Sequence, residues 1–334
     1  MRLIVTGGIG FIGSNFITWI LNKREDVEIL NIDRGDYCSD PSNVAPNPRY
    51  SWAKGDITDE LHMKTIFNFF QPDVIINYAA QSHVDNSFSS PIQFTKDNIL
   101  GTHVLLHVAK EYGRLEKFIH MSTDEVYGEV GEGDISDEKS ILNPTNPYAA
   151  SKAGAEFMVK SYGYSFNFPY IIVRANNVYG PKQYPEKLVP LFINNILSGK
   201  PCLLHGSGKN RRNFIYVDDV SEAMNIILFS GKIGSTYNIG TTNEYSVYEI
   251  FHILKDLTNK DAVFKYVEDR PFNDSRYCID STELRKLGWT DRVSFSDGIK
   301  KTIDWYRLPT SNFRDSWERH SPAAFSKRPA KKAP

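Results

Sequence analysis

The chain has 334 residues, 41% of them apolar, and its 39 Lys and Arg residues nearly balance 40 Asp and Glu residues. This length suits a large α/β domain with a smaller lobe, and a formal net charge of -1 argues against nucleic acid or an anionic membrane as a partner. Three separated cysteines, Cys38, Cys202 and Cys278, fit neither a disulfide framework nor a zinc cluster, so we expect a reducing, cytoplasmic compartment and no bound metal.

Strand and helix signals alternate in the first half of the chain. This alternation predicts an α/β fold with a doubly wound parallel sheet of the Rossmann type, formed by a first domain at residues 1–175. The β-branched runs that predict strands are residues 2–6, 27–32, 50–54, 74–78, 117–122 and 170–174. The segments that predict helices are residues 11–22, 94–112 and 148–164.

The second half is less regular, because prolines interrupt it repeatedly after Asn176. We expect a smaller, mixed α/β lobe that binds the substrate, at residues 176–212 and 246–307. Between these pieces, residues 213–245 are assigned to the first domain, because 213–230 and 236–240 look like a helix and a strand returning to its sheet. Residues 308–334 lose periodicity and are predicted to be a disordered basic tail.

A glycine-rich loop follows the first predicted strand and opens the first predicted helix. Gly7, Gly10 and Gly13 are spaced three apart, and Phe11 and Ile12 lie between the last two. Glycine permits a tight turn and lets a pyrophosphate approach the helix N-terminus, whose free N–H groups and dipole favour an anion. The loop therefore predicts a dinucleotide site that includes these five residues.

Asp33 ends the second predicted strand, twenty residues after the glycine loop. A carboxylate there can accept hydrogen bonds from the adenosine ribose, which favours NAD over NADP, although Arg34 beside it could partly offset repulsion of a 2′-phosphate. Further candidate cofactor contacts follow the third and fourth strands. They are Asp56, Ile57, Ala79 and Ala80, and ordinary turn or packing roles are the alternative for each.

Two Tyr-x-x-x-Lys pairs occur in different settings. Tyr50 and Lys54 fall in a predicted strand, where four residues span roughly 13 Å and the side chains cannot meet. Tyr148 and Lys152 lie one turn apart on a helix announced by Pro147, so both side chains reach one face. We expect the ammonium and a nicotinamide ring to lower the pKa of Tyr148 from about 10 toward working pH, which would make it a base for a sugar hydroxyl.

Two adjacent carboxylates follow the fifth predicted strand. Ser122, Thr123, Asp124 and Glu125 would face the crevice at the carboxyl edge of the sheet, where doubly wound folds bind ligands. Hydride transfer alone needs no neighbouring acid, so the pair predicts a second proton transfer, and elimination of water fits best. Glu125 is the candidate base and Asp124 the candidate acid, and Thr123 could position a substrate oxygen. A solvated loop with a capping Asp is the alternative.

Together, the glycine loop, the 122–128 run and the Tyr148 pair resemble the extended short-chain dehydrogenase/reductase family, and among its members the nucleotide-sugar 4,6-dehydratases. The likeness extends over residues 3–307 and includes the segments 79–85, 176–181 and 184–188. It implies conversion of an NDP-glucose to an NDP-4-keto-6-deoxyglucose and water, with transient reduction of bound NAD. It also implies a homodimer whose helices at 94–112 and 148–164 form a four-helix bundle.

The resemblance assigns roles to individual residues. Tyr148 would start oxidation at C4 of the sugar with support from Lys152, Asp124 and Glu125 would be the acid and base of dehydration, and Thr123 would contact a sugar hydroxyl. The diphosphate, base and ribose would be contacted by residues of the second half. The implied substrate-binding residues are Ser82, Asn177, Glu186, Lys187, Leu188, Leu203, His205, Arg212, Arg270 and Asn273.

Departures from the bacterial pattern bear on the substrate. Bacterial dTDP-glucose enzymes of this family usually carry Gly-His after Asp-Arg-Pro, whereas Phe272 and Asn273 follow that tripeptide here, as in UDP-glucose dehydratases of rhamnose synthesis. His205 also replaces an aromatic residue often found near the base. We therefore favour UDP-glucose and keep dTDP-glucose as the alternative. A nucleotide-sugar 4-epimerase and a non-catalytic NAD sensor are the rival functions, and neither needs adjacent carboxylates.

Overall fold

Parallel strands form the central sheet of the computed structural model, which describes residues 1–269 and 272–308. The sheet order is β10-β6-β5-β4-β1-β2-β3. All its strands run in parallel, and the order in which they are added to the sheet reverses between β1 and β4, as in the predicted doubly wound fold. The strands are β1 (Arg2–Thr6), β2 (Glu28–Asp33), β3 (Tyr50–Lys54), β4 (Val74–Asn77), β5 (Lys117–Thr123), β6 (Tyr170–Ala175), β7 (Asn177–Tyr179), β8 (Cys202–His205), β9 (Arg211–Tyr216), β10 (Thr236–Ile239), β11 (Glu244–Ser246) and β12 (Phe264–Val267).

Helices cover both faces of this sheet. The helices are α1 (Phe11–Lys23), α2 (Glu60–Phe70), α3 (Val84–Ser89), α4 (Pro91–Phe94), α5 (Gly101–Tyr112), α6 (Pro147–Phe166), α7 (Leu188–Leu197), α8 (Val217–Ser230), α9 (Val247–Thr258), α10 (Thr282–Arg285) and α11 (Phe295–Arg307). In the described part of the chain, none combines the length and apolar character needed to cross a membrane.

Alternate side chains of β1 point to opposite faces of the large sheet and pack in different apolar clusters. Leu3 and Val5 pack in one apolar cluster with residues of α1 and α8, whereas Ile4 packs in another with residues of α2, α5 and α6. All three side chains are fully buried. A strand with apolar residues on both sides is what a sheet covered on both faces requires, which confirms the predicted fold class.

The predicted helix at 94–112 contains a local irregularity. A π-helical segment (Thr95–Leu100) joins α4 to α5, and it carries two buried polar residues, Asp97 and Asn98. Such segments are frequent at functional sites. Asp97 accepts hydrogen bonds from Arg34 of the loop after β2, and Asn98 donates to Ser151 of α6, so the segment connects the two regions that face the cavity described below.

The smaller lobe has two sheets of its own. β7, β9 and β11 form one, β8 and β12 form the other, and α7, α9 and α11 supply most of the remaining apolar core. Residues 213–216 therefore belong to a strand, and the prediction of a helix from residue 213 was wrong, because the helix begins at Val217. β10 joins the large sheet as predicted. The proposed lobe boundaries stay a prediction, and the predicted tail lies outside the described residues from residue 309 onward.

Candidate active site

A cavity of about 320 Å³ opens at the carboxyl edge of the large sheet, between it and the smaller lobe. β1 to β6 all end at this edge, so the turns that follow them converge there, as expected for a doubly wound sheet. The predicted site residues that line the cavity are Gly7, Gly10, Phe11, Ile12, Gly13, Asp33, Asp56, Ile57, Ala79, Ala80, Ser82, Thr123, Asp124, Glu125, Tyr148, Asn177, Glu186, Lys187 and Leu188.

The glycine loop forms a tight turn at the start of α1. Gly7 has φ +71°, and its N–H donates to the Ile32 carbonyl at 2.9 Å. A Cβ atom on Gly13 would lie 2.6 Å from the Gly7 carbonyl oxygen, so only glycine fits there. No side chain caps the helix at Gly10, and the first N–H groups of α1 face the cavity edge, where they suit a pyrophosphate.

Asp33 is held in place by the turn that follows β2. Its carboxylate accepts hydrogen bonds from the Gly35 N–H at 2.9 Å, the Ser39 hydroxyl at 3.2 Å and the Ile9 N–H at 3.3 Å. Burial raises the pKa of Asp33, and these donors oppose that shift. The carboxylate therefore sits at the cavity wall in a fixed orientation, where it could accept hydrogen bonds from ribose hydroxyls.

Arg34 is engaged by carboxylates. Its guanidinium makes a bidentate contact with Asp97 at 2.7 and 3.0 Å, and it contacts Asp36 at 2.6 Å and Asp56 at 3.4 Å. The hydrogen bonds to Asp97 are the largest cause of the raised pKa of Arg34. The partial offset expected from Arg34 is therefore weak, since its charge is already balanced, and the carboxylates favour NAD over NADP.

The Tyr148 phenol is buried where α6 begins, next to the turn after β5. Burial raises the pKa of Tyr148, the charge of Glu125 raises it further, and a hydrogen bond with Thr123 opposes the shift. This direction is opposite to the predicted lowering. The prediction assumed a nearby ammonium and a nicotinamide ring, whereas the protein alone surrounds the phenol with apolar groups and carboxylates.

Lys152 is buried one turn after Tyr148 on α6 and is not among the residues that line the cavity. Its Nζ donates at 2.7 Å to the carbonyl of Met121, a residue that lines the cavity. The predicted placement of Lys152 on the cofactor face stays a prediction. Burial lowers the pKa of Lys152 to about 8, while the charge of Glu156 one turn along α6 opposes this. Glu156 itself forms a fully buried ion pair with Arg174 of β6 at 2.6 Å.

The two adjacent carboxylates occupy a short 3-10 helix (Asp124–Tyr127) directly after β5. Asp124 is buried and accepts hydrogen bonds from Asn176 at 2.8 Å and from the Thr123 hydroxyl at 3.2 Å. Glu125 accepts a hydrogen bond from Asn146 at 3.1 Å. The two carboxyl groups therefore have different partners, although they are neighbours in sequence.

Different neighbouring groups act on the pKa values of Asp124 and Glu125. Burial is the main cause that raises the pKa of Asp124 to about 7, and the charge of Glu125 adds to it. Burial also raises the pKa of Glu125, and the donor Asn146 and the cations Arg212 and Lys187 oppose that shift. Acid and base catalysis requires two carboxyl groups in different environments, one of which has a pKa close to 7. Asp124 and Glu125 have this arrangement.

Several residues that line this cavity carry a buried polar atom that has no partner among the described residues. Tyr78 Oη, Ser122 Oγ, Asn177 Nδ2 and Gln183 Oε1 are buried, belong to lining residues and have no hydrogen-bond partner in that part of the chain. Buried polar atoms normally have partners, so these atoms fit a polar ligand. With the glycine turn and Asp33, they fit a dinucleotide and a phosphorylated sugar.

A hydrogen bond to Glu186, which lines the cavity, joins the two lobes. The Tyr37 hydroxyl, after β2, donates to Glu186, before α7, with O–O distances of 2.9 and 3.1 Å. Asn86 of α3 donates to the same hydroxyl at 3.3 Å, and the Tyr37 ring meets Tyr184 edge-on. Next to Glu186, the Lys187 ammonium donates to the Ser82 carbonyl.

The remaining predicted substrate contacts lie away from the cavity lining. Arg212 donates to the Asp274 carbonyl at 2.8 Å and lies over the Tyr277 ring, while Asn273 donates to Asp269 at 2.9 Å. Leu203 and His205 are exposed on β8. Arg270 lies outside the described residues. These four described residues are not part of the cavity lining, although the charge of Arg212 acts on Asp124 and Glu125. Their contacts with the substrate stay a prediction.

Sequence reasoning missed several residues that contact the site. Asn146 could be recognised as a helix cap before Pro147, but its second hydrogen bond, to Glu125, had no local signal. Asp97 lies 63 residues from Arg34, and Tyr37 lies 149 residues from Glu186. Contacts at such separations depend on how the elements pack, and no spacing rule reports them.

Comparisons with known proteins agree with this geometry. The model of a family described as GDP-mannose 4,6 dehydratase matches residues 4–302. The chain is 44% identical to human dTDP-D-glucose 4,6-dehydratase over 94% of this chain and 92% of that protein. Its fold matches a crystal structure of the Streptomyces venezuelae dTDP-glucose 4,6-dehydratase with NAD bound, with a TM-score of 0.89, 37% identity, and coverage of 96% of this chain and 99% of the other.

A plant protein is also similar. The chain is 46% identical over 91% of its length to the trifunctional UDP-glucose 4,6-dehydratase, UDP-4-keto-6-deoxy-D-glucose 3,5-epimerase and UDP-4-keto-L-rhamnose-reductase of Arabidopsis thaliana. The matched part is 47% of that protein, so the chain spans about half the length of this relative.

Proposed function

Because the chain belongs to the family described as GDP-mannose 4,6 dehydratase, we propose that it is a nucleotide-sugar 4,6-dehydratase, which converts an NDP-glucose to an NDP-4-keto-6-deoxyglucose and water. The observation that carries this proposal is the pair Asp124 and Glu125, which lie with Tyr148 in one cavity and have separate hydrogen-bond partners. Oxidation of a hydroxyl uses one base, and elimination of water uses an acid and a further base.

Each of these residues has one task in the proposed reaction. Tyr148 takes the proton of the C4 hydroxyl as C4 is oxidised to a ketone, and the ketone acidifies the proton at C5. Glu125 removes the C5 proton, and Asp124 protonates the C6 hydroxyl, which leaves as water. The hydride taken from C4 is then returned to C6, and C5 regains a proton that exchanges with solvent. Thr123 and Lys152 position the groups that take part, because Thr123 hydrogen-bonds Asp124 and Lys152 lies one turn after Tyr148 on α6.

The residues of the glycine turn and Asp33 would hold the cofactor. A bound NAD supplies a reversible hydride acceptor and a positive charge beside Tyr148. Asn177 and Lys187 line the adjacent cavity and would contact the diphosphate of the sugar nucleotide, because an amide donor and a cation suit phosphate oxygens. Arg212, Asn273 and the exposed end of β8 extend the proposed site toward the base.

Product mass tests this proposal. The purified protein is incubated with UDP-glucose and with dTDP-glucose in heavy water, and the products are analysed by mass spectrometry and NMR. We expect loss of one water, uptake of deuterium at C5 and transfer of hydrogen from C4 to C6. A product of unchanged mass with inverted C4 would identify an epimerase, and NAD binding without turnover of either sugar nucleotide would identify a sensor.

UDP-glucose is the substrate that we favour within this class. Support comes from the 272–273 segment, which resembles that of UDP-glucose dehydratases, and from 46% identity to the plant protein whose name includes that substrate. The ratio of kcat/KM for the two sugar nucleotides is the measurement, because specificity is a ratio of these constants. A ratio that favours dTDP-glucose would reverse the assignment.

A homodimer is part of the proposal. Exposed apolar side chains lie on the faces of α4, α6 and the π-helical segment: Ile92, Leu100, Phe157, Tyr164 and Phe166. Contiguous apolar residues on an exposed face are typical of an interface. We predict that Phe157→Glu gives a monomer by light scattering, whereas Phe229→Glu on α8, across the sheet, leaves the dimer intact. A wild-type monomer at micromolar concentration would contradict this assembly.

A cytoplasmic location completes the proposal. Cys38, Cys202 and Cys278 are free thiols in the structure, which suits a reducing compartment. Fractionation of cells that express the full chain, with immunodetection in each fraction, tests this location.

A further inference from the structure

Asn146 holds Glu125 in a defined orientation. It is the N-cap residue of α6, and its Oδ1 accepts the Ala149 N–H at 2.8 Å. Its Nδ2 donates to Glu125 Oε2 at 3.1 Å. A backbone N–H can only donate, so the amide oxygen must face Ala149, and the amide nitrogen is left to face the carboxylate.

Asn176 makes an equivalent arrangement around Asp124, from a different part of the fold. It follows β6, and its Oδ1 accepts the Thr241 N–H at 3.0 Å. Its Nδ2 donates to Asp124 Oδ2 at 2.8 Å. Both asparagines are at least nine-tenths buried. Water therefore cannot replace their hydrogen-bond partners and let either amide group rotate.

We propose that Asn146 and Asn176 are positioning residues, which aim Glu125 and Asp124 separately at the sugar and give each carboxyl group its own fixed donor. This inference rests on the proposed dehydratase function. Neither asparagine touches a reacting atom in it. Each acts through one carboxyl group, so loss of one donor changes one of the two proton transfers and leaves the other.

The charges around each carboxyl group differ. Glu125 faces Arg212 and Lys187 from the smaller lobe and Asp274 from the segment before Tyr277. Asp124 faces Glu125 on its own turn and Arg212 on β9. Tyr148 of α6 and Cys278 also lie within its electrostatic reach. None of these groups is removed when an asparagine is replaced, so a change in pH dependence reports the lost donor.

The two donors act on opposite limbs of the pH profile. Both stabilise the ionised carboxylate, so loss of either raises the pKa of its partner. Glu125 must be ionised to act as base, so loss of Asn146 moves the acidic limb to higher pH. Asp124 must be protonated to act as acid, so loss of Asn176 moves the alkaline limb to higher pH. A hydrogen bond to a charged group corresponds to a shift of roughly one to two pH units.

Serine variants test the inference. Asn146→Ser keeps a residue that caps α6 and removes the amide donor to Glu125. Asn176→Ser removes the donor to Asp124. Asn213→Ser is the matched control, because Asn213 is also buried and donates to the Thr241 carbonyl at 2.8 Å but touches neither carboxyl group.

The measurement separates the two chemical steps. Single-turnover absorbance at 340 nm follows oxidation at C4, and product mass follows loss of water, each from pH 5 to 9. We expect oxidation to stay within about three-fold of wild type in both variants and dehydration to slow about ten- to hundred-fold, with the acidic limb shifted for Asn146→Ser and the alkaline limb for Asn176→Ser. Asn213→Ser should shift neither limb.

A second pair of variants guards against misfolding. Asn146→Asp and Asn176→Asp keep the acceptor for the backbone N–H and place a carboxylate against the partner, so their limbs should shift further in the same directions. Unshifted limbs in folded Ser and Asp variants, or a shift of the same limb for both asparagines, would overturn the inference. A wild-type protein that dehydrates neither sugar nucleotide would overturn the proposed function instead.

Discussion

At the scale of single residues, Asp124 shows how burial serves the proposed chemistry at a cost in stability. Its carboxyl group is buried, and its pKa is raised from 3.8 to about 7. The folded protein therefore binds this proton more tightly than the unfolded chain does. Between these two pKa values the free energy of unfolding falls as pH rises, and above about pH 7 the full penalty is present.

We predict that Asp124→Asn is more stable than wild type at pH 8, because the amide keeps the acceptor for Asn176 and carries no buried charge. The expected gain in the free energy of unfolding is on the order of 4 kcal/mol, and it should vanish near pH 4. Urea unfolding at both pH values measures it. An equal effect at pH 4 and pH 8 would show that ionisation of Asp124 is not its cause.

We also predict that Glu125→Gln separates oxidation from elimination. The amide is similar in shape but cannot take the C5 proton, so turnover should fall about 10²- to 10⁴-fold while reduction of bound NAD on mixing with substrate persists. Absorbance at 340 nm and product mass measure the two steps. Unchanged turnover would remove Glu125 from the role of C5 base.

At the scale of elements, the buried pair of Glu156 and Arg174 holds α6 against β6. The guanidinium also donates to the Tyr127 hydroxyl at 2.6 Å, at the end of the turn that carries Asp124 and Glu125. Tyr127 in turn donates to Asn238 of β10 at 2.9 Å. One charged network therefore joins the proposed catalytic helix, the turn with the carboxylates and the edge of the sheet.

We predict that Glu156→Gln destabilises the protein by about 3–5 kcal/mol, because it leaves the fully buried Arg174 without a counter-charge. The double variant Glu156→Leu with Arg174→Met should recover most of this loss, since it removes both charges and keeps their volume. Urea unfolding of wild type, single and double variants gives the comparison. A double variant less stable than Glu156→Gln would contradict the explanation.

The elements themselves were largely predictable, because β-branched runs and the glycine turn are local signals. β1 and β3 have the predicted bounds. The strand β9 was missed, because residues 213–216 pair with β7 and β11 rather than continue into α8. One contact of Lys152 was equally unpredictable: helical spacing places it one turn from Tyr148 but does not report that its ammonium donates to the Met121 carbonyl.

At the scale of the whole molecule, the bond from Tyr37 to Glu186 links the cofactor side of the cavity to the smaller lobe. We predict that Tyr37→Phe increases the rate at which NAD leaves the purified holoenzyme about ten-fold, because it removes a hydrogen bond to a charged group and keeps the ring against Tyr184. Tyr248→Phe, at an exposed position on α9 outside the cavity lining, is the control. The release of NAD is followed by protein fluorescence in stopped flow. Equal release rates for both variants would exclude a role for this bond.

The whole arrangement could be predicted only in outline. The resemblance over residues 3–307 placed the cavity residues at one edge of a doubly wound sheet, and the structure brings them together there. The resemblance did not indicate that four residues lie outside the cavity lining: Arg212, Asn273, Leu203 and His205. Their distance from the lining depends on how the smaller lobe packs, which is set by contacts between segments far apart in the chain.

The bridge between Tyr37 and Glu186 has a consequence for the physiology of the enzyme. If this bond slows the release of NAD, as predicted above, the dinucleotide would behave as a prosthetic group that serves many turnovers before it exchanges. Since the proposed reaction returns to the sugar the hydride that it takes from it, flux would then be insensitive to the cellular ratio of oxidised to reduced pyridine nucleotide. Deoxysugar supply could continue in starved or oxygen-limited cells in which ordinary dehydrogenases stall.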